Sequence, residues 1–451
     1  MELFQKIISF TIRLAGAQKV EQDDPFMSPY QNEEYPEIDW GVFRDQRNLS
    51  LVCRLWYDLV SEIAAEYVVI YTDTQLKMLL KKLETSKPSI HSKKLGERTT
   101  RIDFKILNKY NPSNAARLFR ATPNLIIYTN KNGPGDHPTR CTPIEVLKSL
   151  IANCSTTLRR VEWSGPGEPP RFQDLCSFCN KLPNLTTLRL MSIFSYPAPL
   201  NGSPPLIRLP SLKTLSLGVI PDPPQHKPEY VLTWDPLLRY LSVDSQQLPC
   251  LERFDCDLFP QLATSFFGIH GHKIRMLRTS TCYADSFLPS AVAACSNLLD
   301  LIIVHGPELI AFPQYHPTLR RICIYPSVDV VVDVPMKIYE FAVIFPLDII
   351  LKAIEDMLSP ELVEVRIRNC GTYRDINSKA IWLNSWWRRW NLRRIQFVDK
   401  DGDSYQDPQK CRSASARHYG FCSPFISRRS NARHGSRLIA ALNIFNVFDI
   451  I

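Results

Sequence analysis

Three groups of residues in this sequence have types and spacings that could support chemistry. Cys176 and Cys179 have the C-x-x-C spacing of zinc and redox sites, and His270 and His272 form a second close pair. A structural zinc site needs four ligands, however, and no second pair stands at a suitable spacing from either one. We therefore interpret both pairs as structural residues and predict that the protein holds no metal and no cofactor.

The third group is a cluster of aromatic and basic residues: Trp382, Trp386, Trp387, Arg388, Arg389 and Trp390. One interpretation is a platform for single-stranded nucleic acid, in which bases stack on the rings and arginine adds cation–π contacts. The alternative is a helix packed into the core, because positions 382, 386 and 390 fall on one helical face. We favour the packed helix and do not expect nucleic acid as a partner.

Motifs that mark common enzymes are missing from the sequence. It contains no G-x-x-x-x-G-K-[ST] phosphate loop, no G-x-S-x-G nucleophile motif and no H-E-x-x-H metal-binding motif. Nor does any segment pair a nucleophile with a base. We therefore predict no catalytic residues and expect a protein that acts by binding.

A repeated apolar triplet with the spacing L-x-x-L-x-L dominates the chain from about residue 98 to 400. The last two positions of each triplet are two residues apart, as on one face of a β-strand. Such a strand cannot bury that face alone, so neighbouring copies must stack into a continuous core. Clear copies begin at Leu158, Leu185, Leu212, Leu238, Leu251, Leu298, Leu319, Ile338, Leu362 and Leu392, and weaker ones at Thr99, Leu125 and Ile274.

The residues between the triplets support this interpretation. Proline stands two residues before the first apolar position of many copies, where it ends a preceding helix and suits the turn into a strand. Helix-like stretches lie between the strands, for example after the capping box that begins at Thr142. The interval from Leu238 to Leu251 is only 13 residues. One of these two strands is therefore a candidate β-hairpin insertion.

The N-terminal region has two apolar segments separated by an acidic one. Residues 3–14 are predicted to form an amphipathic helix, and Leu49, Val52, Trp56 and Leu59 share a helical face in the second segment. Residues 17–40 carry seven acidic residues, three prolines and one lysine. This composition predicts a solvated, disordered insertion.

These two apolar segments resemble an F-box. Residues 1–8, M-E-L-F-Q-K-I-I, resemble its first helix, and residues 49–59, L-S-L-V-C-R-L-W-Y-D-L, resemble its second half, whose hallmark is L-x-x-V-C-[RK]-x-W. An F-box followed by irregular leucine-rich repeats is similar to the large F-box families of mushroom-forming basidiomycete fungi. The expected α/β organisation is an F-box-like helical module at 1–60, a solenoid of curved parallel sheet with outer helices at 61–400, and a basic, disordered tail at 401–451.

The resemblance implies that the protein is the substrate adaptor of a ubiquitin ligase. The F-box would dock on a Skp-type adaptor that links it to a cullin, and the repeats would bind an unidentified target protein. In the alternative hypothesis, the protein is a ligase-independent scaffold whose helices only cap the solenoid. The positions that match the docking surface are Leu3, Ile7, Ile8, Leu49, Val52, Cys53, Trp56 and Leu59.

Charge and cysteine content restrict the setting in which the protein works. The net charge is +9, but residues 404–451 hold seven basic and two acidic residues, so five of the nine net charges lie in the tail. The 13 scattered cysteines are an odd number, which favours a reducing compartment, the cytoplasm or the nucleus, over a disulfide framework. No stretch of about 20 uncharged apolar residues is present, so we predict no membrane contact.

Overall fold

Twelve strands form one parallel sheet whose order follows the chain from β1 to β12. The computed structural model describes residues 2–14, 16–21, 26, 40–85, 94–133, 141–165, 167–193, 206–218, 234–256, 264–280, 287–305, 310–326, 345–368, 381–399, 402 and 404. The strands are β1 Tyr67–Ile70, β2 Arg101–Phe104, β3 Ile127–Asn130, β4 Arg160–Trp163, β5 Thr187–Leu190, β6 Thr214–Leu217, β7 Arg253–Cys256, β8 Met276–Ser280, β9 Asp300–His305, β10 Arg321–Pro326, β11 Glu364–Ile367 and β12 Gln396–Val398.

Helices precede the sheet and connect many of its strands, which gives the chain an α/β fold. Three N-terminal helices, α1 Glu2–Ile12, α2 Trp40–Ser50 and α3 Arg54–Ala64, come before β1. The described helices that follow are α4 Asp73–Thr85, α5 Pro112–Ala121, α6 Ile144–Cys154, α7 Phe172–Cys179, α8 Asp235–Leu241, α9 Thr264–His270, α10 Leu288–Ala294, α11 Phe345–Asp356 and α12 Ile381–Leu392.

Local sequence explains where these helices begin. Helix α5 starts after Asn111, whose side-chain oxygen accepts a hydrogen bond from the backbone N–H of Ser113 at 3.0 Å. Pro112 occupies the first helical position, where its missing N–H leaves no helical hydrogen bond unmade.

The core lies between one face of the sheet and the helices. Leu188, Leu215 and Phe254 are paired in register on β5, β6 and β7, and all three are buried. The same ladder of buried side chains continues along the sheet and merges with the apolar sides of the connecting helices into one cluster. We call the opposite side of the sheet the open face; it carries the alternate residues of each strand, such as Arg101 and Asp103 on β2.

The predicted strands are confirmed where the apolar triplets are regular. Each of these triplets ends on a parallel strand, and its apolar members are buried. The confirmed copies begin at Leu158, Leu185, Leu212, Leu251, Leu298, Leu319 and Leu362, and the weaker ones at Thr99, Leu125 and Ile274 also end on strands.

One predicted strand is wrong, and the strand of another triplet, β12, begins after the first position of that triplet. The segment that begins at Leu238 lies in α8, where the L-x-x-L spacing is a helical i, i+3 contact, so there is no hairpin insertion at this point. Leu392 ends α12 and its side chain is 84% exposed, whereas Ile395 and Phe397 of the same triplet are buried. The triplet that begins at Ile338 lies outside the described residues.

The tryptophan-rich segment forms helix α12, as predicted. Trp386 and Trp390 are buried, and their rings stack with centroids 6.0 Å apart. The Trp386 Nε1 atom donates a hydrogen bond to Asp348 of α11 at 2.7 Å. These contacts confirm that both rings belong to the core, while the side chain of Trp382 lies outside the described part.

Truncating a buried leucine of the ladder tests this core. Leu215→Ala should lower the free energy of unfolding by about 2–5 kcal/mol, because the change removes packing contacts and leaves a cavity. Leu392→Ala is the matched control at an exposed side chain and should change stability by less than about 0.5 kcal/mol. Denaturant unfolding followed by circular dichroism measures both, and equal losses would contradict the assignment of the core.

Candidate functional site

The N-terminal helices form a small module with its own core. Ile8 and Ile12 of α1 pack against Leu59, Val60 and Ile63 of α3. The side-chain amide of Gln46 on α2 also donates a hydrogen bond to the carbonyl of Ile12 at 2.9 Å. Helix α1 is therefore fixed on α2 and α3 through the face that carries Ile8 and Ile12.

The eight residues predicted to dock on an adaptor divide into two groups. Ile8 and Leu59 are buried in the module core, and Leu49 and Trp56 pack against that core while partly buried. Leu3, Ile7 and Val52 instead expose 68%, 53% and 59% of their surface, and Cys53 is also exposed. Half of the predicted set is thus available for an external contact, and the other half supports the helices that present it.

Further exposed apolar residues lie beside this group. Phe4 and Phe10 expose half or more of their surface on α1, and Leu51 does so in the turn before α3. Positions 3, 7 and 10 have the i, i+4, i+7 spacing of one helical face. We call Leu3, Phe4, Ile7 and Phe10 the α1 stripe. Phe10 was missed because the predicted docking positions came from the F-box resemblance, which covers only residues 1–8 of this helix.

The module also covers the start of the sheet. Leu14 and Ala17, which follow α1, are buried against Tyr67 of β1, and Val42, Phe43 and Val69 pack on this cluster. The side chain of Thr100 donates a hydrogen bond to the carbonyl of Ala17 at 3.2 Å. These contacts protect the first strand, which is an edge of the sheet.

Charged pairs line the open face. Arg101 and Asp103 lie two residues apart on β2, so both side chains point to this face, and the Arg101 Nε to Asp103 Oδ1 distance is 2.8 Å. Complete burial raises the pKa of Asp103, but the neighbouring Arg101 guanidinium outweighs this effect and holds the pKa at about 2. Equivalent pairs are Arg160–Glu162 on β4, Arg253–Asp255 on β7 and Glu364–Arg366 on β11.

A segment from the predicted insertion crosses this face. The Arg160 Nη1 atom donates hydrogen bonds to the carbonyls of Lys19 at 3.1 Å and Glu21 at 3.0 Å. Arg101 binds the carbonyl of Gly16 at 2.9 Å in the same way, and the Thr187 hydroxyl on β5 donates to the carbonyl of Val20 at 3.1 Å. Residues 16–21 are thus held by their backbone across β2 to β5.

Phe26 reaches the far part of the same face. Its side chain is only 2% exposed and packs against Ile302, Cys323 and Tyr325 of β9 and β10. The Arg321 guanidinium lies over the ring at 4.2 Å from its centroid, which adds a cation–π contact. We call residues 16–21 together with Phe26 the crossing segment.

The crossing segment corrects one expectation from the sequence. The insertion at 17–40 was predicted to be solvated and disordered, but its described residues 17–21 and Phe26 contact the sheet. The prediction failed because acidic and proline-rich composition does not reveal long-range contacts from arginines far along the chain. The other residues up to 39 lie outside the described part.

The two metal-like pairs differ in burial: Cys176, Cys179 and His270 are buried, and His272 is exposed. Cys176 and Cys179 are buried in α7, and burial raises the pKa of both thiols, to about 12 for Cys176. His270 is buried, and its Nε2 atom lies 2.7 Å from the carbonyl oxygen of Leu241. No group of three or more His, Cys, Asp or Glu residues that could hold a metal ion occurs among the described residues.

The buried His270 predicts a specific pH dependence of stability. Burial lowers its pKa to about 4, with Lys273 adding to the effect and the hydrogen bond to Leu241 opposing it. In the unfolded chain its pKa is about 6.5, so only the unfolded state binds a proton between these values. Stability should therefore fall as pH drops from about 6.5 towards 4.

His270→Gln should weaken this fall in stability, because glutamine can donate the same hydrogen bond and does not titrate. The exposed His272→Gln is the matched control and should keep the wild-type profile. Melting temperatures across this pH range measure the difference. A His270→Gln profile parallel to that of the wild type would rule out His270 as the source.

Comparisons with known proteins do not assign a family. Neither a scan against protein-family models nor a search of curated protein sequences found a match for this chain. None of the described helices is both long enough and apolar enough to cross a membrane. The candidate surfaces are therefore the α1 stripe with its neighbours, and the open face of the sheet.

Proposed function

We propose that this protein is the substrate-recognition adaptor of a Skp–cullin–F-box ubiquitin ligase. In this proposal residues 1–60 are the F-box, and the sheet and its helices are an irregular leucine-rich-repeat solenoid that binds the target protein. The observation that carries the proposal is the α1 stripe, an exposed apolar helical face within the residues that resemble an F-box.

The burial of the module supports this role. Leu3 and Ile7 are exposed while Ile8 and Ile12 of the same helix are buried. One face of α1 therefore packs on the module core, and another presents apolar side chains to solvent. Solvent-exposed apolar residues that lie together on one face commonly mark a protein interface. A Skp-type adaptor, whose F-box contact is apolar, fits this surface.

Other observations fit the proposed organisation. Strands that follow one another in a single parallel sheet, with helices on one side, are typical of leucine-rich repeats. The cysteines within the described residues are free thiols, which favours the cytoplasm or the nucleus as the compartment. The proposed role is one of binding and requires no cofactor.

The contacts between the module and the sheet favour a second candidate function. Leu14 and Ala17 pack on Tyr67 of the first strand, as expected for helices that cap a repeat array. The protein would then be a ligase-independent scaffold that binds other proteins through its sheet. Under this alternative the α1 stripe has no Skp-type partner.

A binding assay with a purified Skp-type adaptor separates the two functions. The wild-type chain should form a complex, and Leu3→Ala combined with Ile7→Ala should weaken it by about tenfold or more, because buried anchors dominate interface energies. Both side chains are exposed, so the melting temperature should change little. Trp56 is a poorer test residue because it packs on the module core.

The matched control combines Leu107→Ala with Leu358→Ala. Both leucines are exposed and lie outside the helical module, so this variant should bind the adaptor as the wild type does. If the wild-type chain forms no complex with the adaptor at micromolar concentrations, the ligase role is excluded in favour of the scaffold.

A further inference from the structure

We propose that the open face is a binding site for a peptide that presents an aromatic side chain, and that the crossing segment occupies this site as an intramolecular ligand. The ligand would be a segment of a target protein with the same chemistry. Calling that protein a target rests on the proposed function, but the site itself does not depend on any contact with a Skp-type adaptor.

The first part of the site recognises a peptide backbone. Arg101 and Arg160 donate hydrogen bonds to main-chain carbonyls of Gly16, Lys19 and Glu21, at distances between 2.9 and 3.1 Å. Every peptide carries carbonyl groups, so the two contacts of Arg160 do not require the sequence of the crossing segment, whereas Gly16 has a φ of +79°, which favours glycine at the Arg101 contact. A segment of another protein could receive the same hydrogen bonds from Arg160.

The second part of the site recognises an aromatic ring. Ile302, Cys323 and Tyr325 form an apolar surface under Phe26, and the Arg321 guanidinium covers the ring at 4.2 Å. An aliphatic side chain would fill the same space but would lose the cation–π attraction. This pocket therefore gives the site a preference for aromatic residues.

The site is organised without the help of the crossing segment. Arg101 is held by Asp103, and Arg160 by Glu162 on its own strand. Arg321 makes two hydrogen bonds to Asp300 on the neighbouring strand, at 2.6 and 2.7 Å. Because carboxylates of the sheet fix these guanidinium groups, they would keep their positions when the segment leaves, and a preorganised site costs a new ligand less free energy.

The covalent connection makes the crossing segment a strong competitor. A segment tethered next to its site has an effective concentration in the millimolar range. A free peptide with the same sequence should therefore bind the wild-type chain weakly. A change that weakens the contact between the crossing segment and the open face should therefore increase the affinity of the chain for the free peptide.

A synthetic peptide with the sequence of residues 16–26, labelled with a fluorophore, tests the proposal on the full-length chain. Fluorescence anisotropy should show that the Phe26→Ala chain binds it about tenfold or more tightly than the wild type does, because the aromatic pocket is vacated. Tyr315→Ala, the truncation of an exposed aromatic residue elsewhere, should bind as the wild type does. Adding Arg321→Gln to Phe26→Ala should remove most of the increase in affinity for the peptide.

The peptide supplies its own control. A version with alanine in place of its phenylalanine should bind the Phe26→Ala chain about tenfold or more weakly. The proposal is overturned if the Phe26→Ala chain binds the peptide no better than the wild type, or if both peptides bind equally well.

A second measurement needs no variant and covers the case in which Phe26→Ala does not fold. Hydrogen exchange of the wild-type chain is followed by mass spectrometry with and without an excess of an isotopically heavy peptide. Displacement should accelerate exchange in the chain's own residues 16–26, and unchanged exchange at saturating peptide would overturn the proposal. Neither assay contains a ligase component, so a failure here leaves the adaptor-binding test unaffected.

Discussion

The fold depends on the burial of one face of each short strand. Most described strands have four residues, and a strand of this length contributes only two side chains to the core. The strand β5 cannot cover the apolar surface of Leu188 and Leu190 by itself. Leu215 and Leu217 of β6 cover part of it because they lie beside these residues in register. The sheet is therefore stable only as a continuous ladder, and the position of every open-face side chain follows from that ladder.

The charges on the open face are a consequence of this register. Because side chains alternate along a strand, the residues between the buried leucines must point to the other side. Arg101 and Asp103 occupy these positions on β2, as Arg253 and Asp255 do on β7, and each pair satisfies its own charge. A buried arginine that is already paired can still donate from its remaining N–H groups, which is what Arg101 does towards Gly16.

Sequence alone could predict the strands but only part of the surfaces. The period-two spacing of apolar residues identified the strands that begin near Leu185 and Leu212, because local pattern and tertiary packing agree there. At Leu238 the same spacing fitted a helix equally well, and only the neighbouring Asp235-Pro236 start distinguishes the two. The contact of Phe26 with β10 could not be predicted, since no local pattern encodes a pairing across nearly 300 residues.

The helical module shows the same limit. Its pattern correctly marked Ile8 and Leu59 as apolar face residues, but periodicity does not say which apolar residues face the chain's own core and which face outwards. The structure separates Leu3 and Ile7 from Ile8, because α2 and α3 cover only one side of α1. Docking on a Skp-type adaptor stays a prediction that these exposed residues make testable.

The crossing segment has a consequence for the order in which the fold can form. It is attached at β2 through Gly16 and at β10 through Phe26, which are eight strand spacings apart. Contacts between residues far apart in sequence cost chain entropy before they can stabilise the fold. The surface that Phe26 contacts exists only once β9 and β10 have paired. The docking of Phe26 therefore follows the pairing of these two strands, although Phe26 precedes both of them by more than 270 residues in the chain.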